Sequence, residues 1–233
     1  MYRFSLLFLL VSLFACSSLD VNNEYSSNEE TLSDFFESQG VVSFLHNDKC
    51  LSKDVVIYNA DGTEYCRLNF YENKFYYEDA VILFENPNNL RDLEMFSPME
   101  LYPNYSILRF EYESSLDNKY NVYVDKEKTI LKHIVIDDSN CFEVKTWRDY
   151  FLGSWVGNDF NKNPMRESNN DDSKQVNTKL NYDDYFFAIT EIKGEWVKIE
   201  CVGACGFECD LEISGWIRWK RDNTKLISLP SAC

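Results

Sequence analysis

Apolar and polar positions fall into three regimes along the chain. Residues 1–15, MYRFSLLFLLVSLFA, hold one arginine and then an almost continuous apolar run. A membrane-crossing helix takes roughly 20 apolar residues, so this run is too short to span and has the form of an export signal. Residues 16–40 are rich in Ser, Asn and acid, with one amphipathic patch at Leu32, Phe35 and Phe36. That composition predicts a flexible tether. From VVSFLHND onward the pattern becomes strand-like.

Within residues 41–145, DVVIYNADGTEYCRLNF has two apolar runs around Asn59-Ala60-Asp61-Gly62, a hairpin signal because Asp-Gly tolerates positive φ. In YSILRFEYE, Ile107, Arg109 and Glu111 alternate with Leu108, Phe110 and Tyr112. KYNVYVDKEKTILKHIVI adds two strands around a polar turn at Asp125 to Lys128. Short strands with closely spaced turns predict a small barrel or sandwich. KTWRDYFLGSW breaks the period. Thr146 with Asp149 fits a capping box, and Trp147, Tyr150 and Phe151 share a helical face before Gly153, giving a connecting helix over 146–153. Residues 154–233 read as a second β module. A turn-rich stretch leads to YFFAITEI, a Lys-Gly-Glu turn, WVKIEC, GWIRW and LISLP, read as the short strands of a mainly β small barrel.

Charge narrows the partners. Acidic residues outnumber basic ones 39 to 23, and without Arg3 the segment from Cys16 carries a formal −17 from 22 basic and 39 acidic residues. Such a surface repels phosphate backbones, so nucleic acid is excluded as a natural partner. Beyond Cys16, seven cysteines remain: Cys50, Cys66, Cys141, Cys201, Cys205, Cys209 and Cys233. In an exported chain they predict disulfides, with at least one thiol left free or joined to another chain. The C-x3-C-x3-C run at 201–209 with Cys233 also admits a four-thiolate metal site, but it lacks a C-x2-C pair, and we expect disulfides and no metal or other cofactor.

Two resemblances bear on function. LFAC, ending at Cys16, resembles the lipobox of bacterial lipoproteins, with Phe14 bulkier than usual there. The resemblance implies an acylated Cys16 as mature N-terminus and a protein held at a membrane, expected to be the outer membrane, without spanning it. Ordinary cleavage after Ala15 is the alternative. NPMRESNNDDSKQV, ITEIKGEWVKIE and SGWIRW, in that order, resemble the bacterial SH3-like domain family. Two departures are the residue near Asn169, where the family has Pro, and the CVGACGFEC insertion before Ser214. The resemblance implies an SH3-like barrel over 154–233. The 41–145 module is either a diverged copy, with VVIYNADGTEYCRL laid against NPMRESNNDDSKQV, or an unrelated small β domain.

The candidate chemistry is recognition. Trp196, Trp216, Trp219, Tyr182 and Tyr185 with Arg166 and Arg218 suit an aromatic groove for proline-rich peptide or sugar, and Trp219, between Arg218 and Lys220, is the ring expected to be exposed. Packing in the core is the competing reading for Trp196 and Trp216. Histidine occurs at His46 and His133 only, and neither sits in a nucleophile-and-base pattern, so no catalytic residue is assigned. The sequence therefore predicts a non-enzymatic envelope lipoprotein that binds peptidoglycan or an envelope protein or peptide. The alternatives are an accessory or weak cell-wall hydrolase, or a structural partner protein joined through its odd cysteine.

Overall fold

The computed structural model describes residues 32–45, 50, 53–71, 74–77, 80–81, 96–102, 105–125, 127–136, 141–176, 185–204, 206, 208–209 and 212–230. Residues 1–15, expected to be an export signal, and Cys16, His46, Tyr182, Cys205 and Cys233 lie outside the described residues.

Alternation builds the first unit. Strands β1 (Gly40–Phe44), β2 (Lys53–Tyr58), β3 (Glu64–Tyr71), β4 (Lys74–Tyr77), β5 (Ala80–Val81), β6 (Glu100–Tyr102), β7 (Ile107–Leu116), β8 (Lys119–Tyr123), β9 (Leu131–Val135) and β10 (Phe142–Thr146) join one sheet. Its order is β10-β1-β7-β8-β9-β2-β3-β4-β5, with β6 beside β7, and the sheet curls into a half-barrel. The period of two is visible in β7, where Leu108, Phe110 and Tyr112 are buried while Ile107, Arg109 and Glu111 are half-exposed. The inward rows of β2, β3 and β7 meet in a core that includes Val55, Ile57, Leu68, Phe70 and Phe110.

The β2–β3 hairpin turns where the sequence places it. Asn59 and Thr63 close the loop by a 2.8 Å backbone bond, Asp61 accepts from the Thr63 amide at 2.9 Å, and Gly62 takes φ +86°, a conformation side chains resist. This hairpin occupies the stretch laid against residues 163–176, which are instead a succession of turns with single bridges at Arg166. The element-by-element correspondence between the two halves therefore does not hold at this point, because one stretch carries alternating apolar residues and the other does not.

The tether reading ends earlier than expected. Residues 32–36 form a short helix, α1, and Leu32 is fully buried. Spacing of i, i+3 and i+4 puts Leu32, Phe35 and Phe36 on one face, and an apolar face of that size outweighs the polar composition around it. Helix α2 (Trp147–Phe151) follows β10 and has the expected cap, with Thr146 Oγ1 accepting from the Asp149 amide at 3.2 Å. Its Trp147, Tyr150 and Phe151 are buried.

In the second unit, residues 153–156 run against β12 (Phe186–Lys193), with Val156 donating to the Phe187 carbonyl at 2.9 Å and Ile189 to the Ser154 carbonyl at 3.0 Å. β11 (Gly157–Asn158) then pairs with β17 (Ile227–Ser228). β12, β13 (Trp196–Val202) and β14 (Ser214–Arg218) form an antiparallel meander, and β15 (Lys220–Arg221) with β16 (Thr224–Lys225) a small hairpin. The core here combines Phe187, Ile189, Val197, Ile199 and Ile217 with Leu32 and Val41 from the start of the chain and Trp147 and Phe151 from α2. A boundary at residue 154 thus cuts through this core.

Among the described residues two disulfides are formed, Cys50–Cys141 across 91 residues and Cys201–Cys209 across 8. The second uses two of the three closely spaced cysteines and staples the insertion between β13 and β14. Cys66, on the inward row of β3, is a free and buried thiol, and burial pushes it up to about 12. A thiol so placed is out of reach of another chain. Among the described residues, no helix is long and apolar enough to cross a membrane.

Candidate functional site

Among the described residues, the aromatic rings singled out by sequence do not form one groove. Trp219, expected to be exposed, is fully buried. β14 ends at Arg218, and the Trp219 amide then donates to the Glu195 carbonyl at 3.0 Å while its indole Nε1 donates to the Gly194 carbonyl at 2.7 Å. This turns the ring under α1. There Phe36 lies between two indoles, stacked on Trp147 at 3.7 Å and near-parallel to Trp219 at 6.1 Å, while Phe35 and Phe151 meet Trp219 edge-on.

Trp196 and Trp216 lie on the opposite face of the meander from Val197, Ile199 and Ile217, yet they are only 7% and 8% exposed. Their cover is polar. The Arg218 guanidinium sits 4.5 Å from the centre of the Trp196 ring, and the Lys193 ammonium 5.6 Å from Trp216. The loop 163–176 crosses Trp216 through a reciprocal pair of 2.8 Å backbone bonds between Arg166 and Trp216. Glycine is required at 215, where a Cβ would stand 2.5 Å from Met165 Cγ and 2.8 Å from the Arg166 carbonyl oxygen. Arg166 donates to the Ser173 carbonyl, and Arg218 is held by Asp171 at 2.7 Å and by Glu195, so both arginines serve the loop. The Arg218 hydrogen bonds hold the Asp171 carboxyl below its usual range. Tyr185 packs half-buried against the core.

A cleft of about 290 Å³ opens at the junction of the units. Arg109 from β7, Lys145 from β10, Tyr150 from α2, residues Leu152 to Trp155, Leu229 and Pro230 line it. Glu100 of β6 holds the inner cation in place, since it pairs with Arg109 and accepts from the Tyr150 hydroxyl at 3.3 Å. The Arg109 guanidinium lies 5.6 Å from the centre of the Tyr150 ring. Lys145 pairs with Glu143, its neighbour two residues back on the same strand, at 2.9 Å. The Ser154 hydroxyl is committed to the Tyr150 carbonyl.

Comparison with protein-family models, with curated proteins and with solved structures finds no match for this chain. The site is therefore read from its own groups.

The cleft gathers residues the sequence reading did not single out for binding. By sequence pattern Arg109 and Tyr150 are members of a strand and a helix, and Lys145 and Trp155 carry no binding motif. The available signal was Arg109, a cation set among apolar residues on β7. Nothing local marks its partners 36 to 46 residues further on. Of the histidines, His133 is described. It is 5% exposed, its ring stacks on Tyr58 at 5.5 Å, and burial, helped by Lys119, holds its imidazole below the ordinary value. It lies on β9, which faces neither the cleft nor the tryptophan pair.

Proposed function

We infer that the chain is an exported binding protein of the bacterial envelope, anchored through an acylated Cys16, whose second unit is an SH3-like barrel. Its binding surface is the cleft where that barrel meets the first unit. The observation that carries the reading is the lining of the cleft, where a guanidinium, an ammonium and two aromatic rings surround a hollow of ligand size. Supporting it are the two disulfides, compatible with an oxidising compartment, and the strand pairing of the second unit. A first strand that closes on the last, with a three-stranded meander between them, is the order expected of a small SH3-like barrel. The ligand class is a cell-wall fragment or an envelope peptide, both of which combine ring or aliphatic surface with carboxylates.

The test is co-sedimentation of the full exported chain with purified peptidoglycan. Saturable binding that Trp155→Ala weakens, with an unchanged circular dichroism spectrum, is the expected result. Retention in the supernatant at all wall concentrations would overturn the wall as ligand.

A further inference from the structure

The cleft has a charge opposite to that of the molecule around it. Across the chain, 39 acidic residues face 23 basic ones, so a hollow lined at random would present acid first. The lining instead holds Arg109 and Lys145 and no carboxylate. Glu100 and Glu143, which pair with these two cations from the same face of the sheet, are absent from the lining. Each cation is thus partly neutralised by a neighbouring carboxylate. The remaining field suits one negative charge better than the double charge of a phosphate. The lining also includes the apolar side chains of Leu152, Trp155, Leu229 and Pro230. At about 290 Å³, the hollow falls at the bottom of the range for small-molecule sites and holds a single ring or amino-acid-sized body.

We propose that this cleft binds one carboxylate-bearing group of sugar or amino-acid size, with Arg109 and Lys145 taking the carboxylate and Trp155 covering the body of the ligand. Arg109 is the fixed member, since Glu100 and the Tyr150 ring hold its guanidinium and little rotamer freedom is lost on binding. Lys145, half-exposed on β10, is the mobile one. The proposal rests on reading the chain as a binding protein, but not on the wall being the source of the ligand. A sugar acid of the wall and the C-terminus of a peptide present the same chemistry.

Calorimetric titration of the full exported chain separates these cases. The probes are N-acetylmuramic acid against neutral N-acetylglucosamine, acetyl-alanyl-alanine against its C-terminal amide, and inorganic phosphate. The expected result is that at least one carboxylate probe binds about tenfold or more tightly than its neutral counterpart, as one charge-assisted contact predicts. Lys145→Gln should weaken it by a similar factor, and Arg109→Gln by more. Lys145→Gln alone decides the matter if Arg109→Gln fails to fold. Equal binding of acid and neutral probes, tighter binding of phosphate, or no binding of any carboxylate would overturn the proposal. Preference for the sugar acid or for the peptide identifies the source. Carboxylate binding without wall sedimentation removes the wall reading and leaves the proposal standing, and wall sedimentation without carboxylate preference does the reverse.

Discussion

The two units solve the same problem with different materials. The first closes its core with one continuous sheet, filling it with Val, Ile, Leu and Phe from its own strands and tying Cys50, between β1 and β2, to Cys141, just ahead of β10, with a disulfide across 91 residues. Among the described residues the second has only short sheets of two and three strands, and it completes its core with Leu32 of α1, Val41 of the first unit's β1, and Trp147 and Phe151 of α2. The first is self-sufficient in residues, whereas the second is assembled around borrowed ones. The α2 residues it borrows depend in turn on residues more than a hundred positions away, such as Ser38, whose carbonyl and hydroxyl both accept from the Trp147 indole at 3.0 and 3.1 Å.

Removing the long disulfide should have the largest effect. Cys50→Ser with Cys141→Ser should cost about 4–5 kcal/mol on the chain-entropy model, against about 2.5 kcal/mol for Cys201→Ser with Cys209→Ser. Urea unfolding of the two double variants measures the gap, and a larger cost for the short loop would mean that the first unit's sheet holds without its staple.

Next in size is Phe36→Ala. Fully buried Phe→Ala changes cost 3–5 kcal/mol, so this half-buried ring should lose about 2–3 kcal/mol. The comparison predicts where the loss falls. Amide exchange should accelerate in β12 to β14 while β7 to β9 stay protected. Uniform acceleration would show that the units unfold as one and that borrowing has no local meaning.

The smallest effect belongs to pH and to the first unit. His133 titrates lower in the folded chain than its ordinary 6.5. Between those two values the unfolded chain binds more protons, so stability falls as pH drops below about 6.5, by at most about 1.4 kcal/mol per pH unit. Urea midpoints at pH 7.5 and 5.5 should differ less in His133→Gln than in the parent. An unchanged difference would assign the pH dependence to the carboxylates.

Local structure was legible in the sequence where a short-range rule decides it. The Asp-Gly hairpin, the Thr146 cap and the alternation in β7 all follow from residues within a few positions of each other. Sheet order was not legible, because β1 lies between β7 and β10 and nothing in Gly40–Phe44 marks strands some 70 and 100 residues away. Trp219 shows the same failure at one residue. Its charged neighbours suggested exposure, but the chain leaves β14 at Arg218 and α1 arrives from the other end of the sequence to cover the ring. The patch of Leu32, Phe35 and Phe36 was visible as an amphipathic fragment, and only its partner was hidden. The cleft was the least legible part, since its cations and rings come from four separate elements.

The docking of α1 also sets a mechanical length. The packed body includes Leu32, eight residues ahead of Gly40, so an anchor at Cys16, were it acylated, would lie within about 55 Å of extended chain from that body. A pull passed along the chain to Leu32 would act on a side chain that belongs to the core of the second unit. Tension arriving there would thus load the second unit, which contributes to the cleft, before it loads the large sheet.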